Sequence, residues 1–178
     1  QELIADIIDN SIDATDPEGT VDVKVEFGKC DYSEEKKPWG GLHGAQRPYI
    51  VIEDNAKGMD EETLSRAMGR GHRRNYSPWE LGHYGVGLKK SSLSNAYEIT
   101  VFTKQMGGEI LCSRYSSCYI EKFDHNAVIN KGEIEDFFPW MTDTEAWDLA
   151  EKAMSEKESG TLVLLEGIPT LQKSAGAH

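Results

Sequence analysis

Between residues 2 and 15 the apolar positions Leu3, Ile4, Ile7, Ile8, Ile12 and Ala14 fall on one broad side of a helical wheel. Glu2, Asp6, Asp9, Asn10 and Asp13 fall in a stripe about 100° wide. That spacing predicts a helix whose apolar side packs on a sheet. The period then drops to two: Val21, Val23, Val25 and Phe27 alternate with Asp22, Lys24 and Glu26, the pattern of a strand with one buried face. Residues 29–47, KCDYSEEKKPWGGLHGAQR, are polar and rich in turn formers, which predicts a loop or insertion. YIVIEDN at 49–55 reads as a buried strand ending in a turn, and 60–69 as a short helix with Asp60 as its N-cap. The stretch 70–87 holds too many glycines, and a proline, for a regular element; a helix is predicted from Leu88 to Ser94, directly behind GHYGVG. Strands at 97–103, 108–115 and 117–122, a helix at 143–157 and the strand TLVLLEGI at 161–168 complete the pattern. Helices interleaved with mostly adjacent strands indicate an α+β two-layer sandwich, one domain over 1–171 with a small, polar tail at 172–178.

Composition narrows the chemistry. The 178 residues carry 31 acidic against 19 basic side chains, a formal charge of -12. Such a domain is a poor electrostatic match for nucleic acid or an anionic membrane, so any phosphate ligand has to be held locally. Cys30, Cys112 and Cys118 form no CxxC pair, and no apolar run approaches the ~18 residues of a membrane span. With no signal peptide at its start, the chain is expected in a reducing compartment, cytoplasmic or nuclear. It begins at Gln1 within the helical pattern, as expected of a module from a larger protein.

Three motifs carry candidate chemistry. The first is DIIDNSIDA at 6–14, whose acidic stripe would by itself suit a solvated helix face. The second is DNAKGM at 54–59, delivered by the buried strand. An aspartate at a strand end, beside a permissive Gly58 and the soft apolar Met59, can accept a hydrogen bond from an adenine amino group, although an Asp-Asn pair is also a common turn. The third is LGHYGVGLKKSS, with Gly82, Gly85 and Gly87 just before a predicted helix. Exposed backbone N–H groups and a helix N-terminus there offer phosphate donors without many basic residues. The loop is neither a Walker A sequence nor a dinucleotide fingerprint.

The order of these boxes, with SGTLVLLEG opening a late strand, resembles the GHKL ATPases: gyrase B subunits, ninety-kilodalton heat-shock chaperones, histidine kinases, MutL proteins and MORC ATPases. The resemblance spans residues 2 to about 168; DNSIDA is closer to the gyrase, MutL and MORC side than to the kinases, and GHYGVGLKKSS looks most like the MORC loop. It implies a Bergerat-type fold, a mixed sheet covered on one face by helices, and Mg²⁺-dependent binding of ATP. By the resemblance Asn10 binds Mg²⁺, Asp54 reads adenine with help from Thr161, and Gly58 and Met59 line the base. Gly82, His83, Tyr84, Gly85, Val86, Gly87, Leu88 and Lys89 match the phosphate loop, with Lys89 a direct phosphate contact, while Asp13 holds an acidic position near the nucleotide. Residues 70–84, with Arg70, His72, Arg73 and Arg74, match the lid over ATP.

Two positions depart from the family pattern. Ala56 stands where glycine is usual, a harmless change if the local backbone is ordinary. Hydrolysing members carry glutamate four residues before the magnesium asparagine, and here that position is Asp6, the candidate catalytic carboxylate. Aspartate is chemically adequate as a base but reaches less far. The expectation is a weak ATPase acting as an ATP-gated conformational or dimerisation switch, with self as a candidate partner. The alternatives are a nucleotide switch that does not hydrolyse and a histidine-kinase catalytic domain.

Overall fold

The structure is a computed structural model that describes residues 2–16, 18–31, 46–68, 96, 98–116 and 143–168. Along the chain these form α1 (Glu2–Asp13), β1 (Val23–Asp31), β2 (Gln46–Asp54), α2 (Glu61–Met68), β3 (Glu98–Lys104), β4 (Leu111–Ser116), α3 (Asp143–Met154) and β5 (Gly160–Glu166). The strands build one sheet in the order β1-β2-β5-β3-β4. The last described strand, β5, is therefore the middle strand of the described sheet, and it pairs with β2 on one side and β3 on the other.

The α+β sandwich stands, and two particulars differ from expectation. All four described strand pairings are antiparallel, where a mixed sheet was expected. Helices also cover both faces of the sheet rather than one. Alternation along β2, β3 and β5 sends Ile50, Ile52, Ile99, Val101, Val163 and Leu165 into a core with Ile7 of α1 and Leu64 and Met68 of α2. The intervening Val51, Phe102, Leu162 and Leu164 pack on the other face with Ala146, Trp147, Ala150 and Met154 of α3. Strands apolar on both faces have to be covered on both. Phe102 and Trp147 meet edge to face there, with ring centroids 5.0 Å apart. Arg114, on the same face, donates from Nε to Thr100 Oγ1 at 2.7 Å and brings Nη2 within 3.8 Å of buried Glu166.

Local chemistry accounts for the boundaries. Asp60 caps α2, its Oδ1 accepting the Thr63 N–H at 2.8 Å, and Glu62 and Arg66 pair one turn apart along the helix. The β1–β2 hairpin runs further than the polar composition of 29–47 suggested: Cys30 pairs with Arg47 and Asp31 with Gln46, so both strands reach into the expected loop. On α1 the buried arc is narrower than the apolar side of the wheel. Ile7 and Ser11 are buried and Ile4 packs against the core, whereas Ile12 is 47% exposed. Among the described residues no helix is long and apolar enough to cross a membrane. The expected helix at 88–94, the strand at 117–122, the segment 70–84 and the tail lie outside the described residues.

Candidate functional site

Strand β2 ends at Asp54, which is buried, and three donors converge on its carboxylate. Oδ1 accepts the peptide N–H groups of Ala56 and Thr161, each at 3.0 Å. Oδ2 accepts the hydroxyl of Ser11, from α1, at 2.7 Å. A carboxylate has about four acceptor positions, so among the described residues these three partners leave one, on Oδ2. The Ala56 bond closes an Asx-turn that swings the chain out of the strand. No described non-glycine residue has a positive φ, so Ala56 sits in ordinary backbone and fits without strain where glycine was expected.

The turn continues into Gly58, whose φ is +69° and whose Cα lies so near β3 that a Cβ would stand 2.1 Å from the Lys104 carbonyl oxygen. Next, the Met59 N–H donates to Thr103 Oγ1 at 2.8 Å. Thr103 Oγ1 is in turn 3.1 Å from Thr161 Oγ1 and 3.2 Å from the Gly160 carbonyl oxygen. Asp54, Met59, Thr103 and Thr161, drawn from three strands and a turn, thus form one connected set. The turn between α3 and β5 grips it from behind: Lys157 Nζ donates to the Asp54 carbonyl at 3.2 Å and lies 3.6 Å from Glu53 Oε2. Lys104 Nζ donates to the Lys157 carbonyl at 3.2 Å. Beside it Asn55 accepts the Asp22 N–H and donates to the Asp22 carboxylate, pinning the approach to β1.

Lys24 on β1 joins the same charged edge, 2.7 Å from Glu26 and 3.3 Å from Glu53. Its ammonium is held above the ordinary lysine value of 10.5, first by the hydrogen bond to Glu26 and then by that to Glu53.

Helix α1 carries the remaining candidates. Asp6 is half-buried, and Asn10 and Asp13 are exposed, with Asn10 next to the residue that touches Asp54. Among the described residues no three His, Cys, Asp or Glu side chains converge as a metal cluster. Of the sequence-derived site, Asp54, Gly58, Met59 and Thr161 come together, and Asp6, Asn10 and Asp13 lie along the helix bonded to them through Ser11. Gly82, His83, Tyr84, Gly85, Val86, Gly87, Leu88 and Lys89 lie outside the described residues. Three participants escaped the sequence reading. Ser11 was signalled only as a polar residue in the middle of an apolar helix side, Thr103 as a hydroxyl at a strand end, and Lys157 by nothing local.

Known proteins resemble this chain in sequence. Protein MICRORCHIDIA 1 of Arabidopsis thaliana is 27% identical over 105 residues, which are 59% of this chain and 14% of that protein. Protein MICRORCHIDIA 3 of the same plant is 29% identical over 105 residues, 59% of this chain and 16% of the relative. The chain therefore spans only a small part of the length of these relatives. The ATPase and transducer domains of DNA topoisomerase II from Balamuthia mandrillaris superpose with a TM-score of 0.46 and 12% identity, covering 93% of this chain and 36% of that one. The family model for the histidine kinase-, DNA gyrase B- and HSP90-like ATPases matches residues 1–145, from α1 through the Asp54 turn and the glycine-rich motif, and the chain belongs to that family.

Proposed function

We propose that this domain binds ATP with Mg²⁺, hydrolyses it slowly, and serves as an ATP-gated conformational or dimerisation switch within a longer protein. The observation that carries the reading is Asp54: a buried carboxylate, held by three donors, with one acceptor position left for an exocyclic amine. Thr161 stands beside it, and Gly58 and Met59 form the adjoining turn.

The donor set suits magnesium. Mg²⁺ takes one or two protein oxygens and completes its shell with phosphates and waters, so the exposed Asn10 amide oxygen on α1 would hold it without a cage of carboxylates. When bound, the ion supplies charge neutralisation for the triphosphate. The chain does the rest. Asp6, one turn before Asn10, would orient and deprotonate the attacking water, Asp13 would lie near the nucleotide, and the backbone of Gly82 to Lys89 would donate to phosphate oxygens. The shorter side chain of Asp6 favours slow turnover, and in the limit a switch that binds without hydrolysing.

Calorimetry with a non-hydrolysable ATP analogue and Mg²⁺ tests the reading. Measurable heat is expected, and Asp54→Asn should abolish it; no binding by the intact chain would overturn the proposal. Asp6→Asn should remove residual turnover and leave analogue affinity within about threefold, a loss small against the ~1.4 kcal/mol of a tenfold change. Asn10→Ala should weaken the magnesium-dependent binding itself.

A further inference from the structure

Ser11 occupies an unusual place for a serine, 3% exposed in the middle of an α-helix. Serine there lowers helix propensity, and its ordinary recourse is to bond back to its own helix. That acceptor is present, the Ile7 carbonyl at 3.2 Å, but the Asp54 Oδ2 atom is nearer, at 2.7 Å. The hydroxyl has one proton, and the shorter, charge-assisted bond takes it.

The consequence lies in the carboxylate. Ala56 and Thr161 both donate to Oδ1 from the backbone, and among the described residues Ser11 is the donor on Oδ2. Ser11 takes one of the two acceptor positions of Oδ2, adds a third point that holds the carboxylate, and so sets which Oδ2 position stays open. A purine with an amino group at position 6 can satisfy that acceptor, while a 6-oxo purine would oppose it with a second acceptor. We propose that Ser11 is a positioning residue for base recognition, setting the preference of this site for 6-amino purines by locking Asp54. This role rests on the proposed ATP site.

The test compares two ligands on each protein, in Mg²⁺: a non-hydrolysable ATP analogue and the matching purine riboside analogue, which lacks the 6-amino group. Their affinity ratio isolates the amino contact, and partial unfolding of a variant cancels in it. The parent is expected to prefer the adenine ligand by about tenfold or more, the range of a hydrogen bond to a charged group. Ser11→Ala should lose most of that preference through weaker adenine binding, with the purine riboside ligand held within about twofold. If Ser11→Ala binds neither ligand, Ser11→Cys, with a weak S–H donor in the same place, decides: a reduced preference supports the role and an undiminished one overturns it. A parent that prefers adenine with a Ser11→Ala variant of equal ratio overturns the role alone. A parent that binds neither ligand overturns the ATP site and this role with it.

Discussion

Gly58 shows how much rests on single atoms at the site. Its φ of +69° and the 2.1 Å that would separate a Cβ from the Lys104 carbonyl oppose any side chain, from conformation and from space. Gly58→Ala should lower unfolding free energy by roughly 2 kcal/mol or more, measured by urea denaturation. Thr103→Val keeps the shape but strips the acceptor from the Met59 N–H, and a loss of about 1–3 kcal/mol is expected in the same assay. At the exposed edge, Lys24 is raised above 10.5 by Glu26 and Glu53. A raised amine adds stability that is fully present below its unfolded pKa and fades as pH climbs through the folded value. An NMR titration should therefore find Lys24 titrating above 10.5, and Glu26→Gln should bring it down. The placement of Asp54, Gly58 and Met59 in one turn at a strand end was legible in the sequence because a buried apolar run stops at the aspartate and a glycine follows it. Ser11, Thr103 and Lys157 were not, because their partners Asp54, Met59 and Asp54 lie 43, 44 and 103 residues away and meet only through the sheet order.

At the scale of elements, periodicity located the helices and strands well where one face differs from the other. Helix α2 is an example: its N-cap was readable from Asp60, and Asp60→Ala should cost about 1 kcal/mol by thermal or chemical melting. Two-sided strands hide more. TLVLLE is apolar at successive positions, which states that both faces are covered but not by what, so the placement of α3 on the second face could not be read from it. Trp147 is the chief plug of that second layer, set against Phe102, and Trp147→Ala should lower stability by roughly 3–5 kcal/mol without touching any residue of the proposed nucleotide site. The β1–β2 hairpin was underestimated for the opposite reason: the paired residues Lys29, Cys30 and Asp31 have the composition of a loop, and cross-strand hydrogen bonding overrides composition.

For the molecule as a whole, the strand order β1-β2-β5-β3-β4 separates sequence position from structural position. β1 and β2 can zip together as a hairpin as soon as they are made, and so can β3 and β4, but among the described residues no strand pairing joins the two hairpins until Gly160–Glu166 pairs with both. On a ribosome the two half-sheets would thus have unpaired edges on β2 and β3 from the completion of β4 at Ser116 until β5 begins at Gly160, a condition under which nascent chains pair with the wrong neighbour. Pulse-labelled hydrogen exchange during refolding should find the amides that β2 and β3 direct at β5 gaining protection together, as one late event. Thr161 arrives on that same strand, so a chain stalled short of it would carry the acidic helix and Asp54 yet lack one of the three donors that hold the carboxylate.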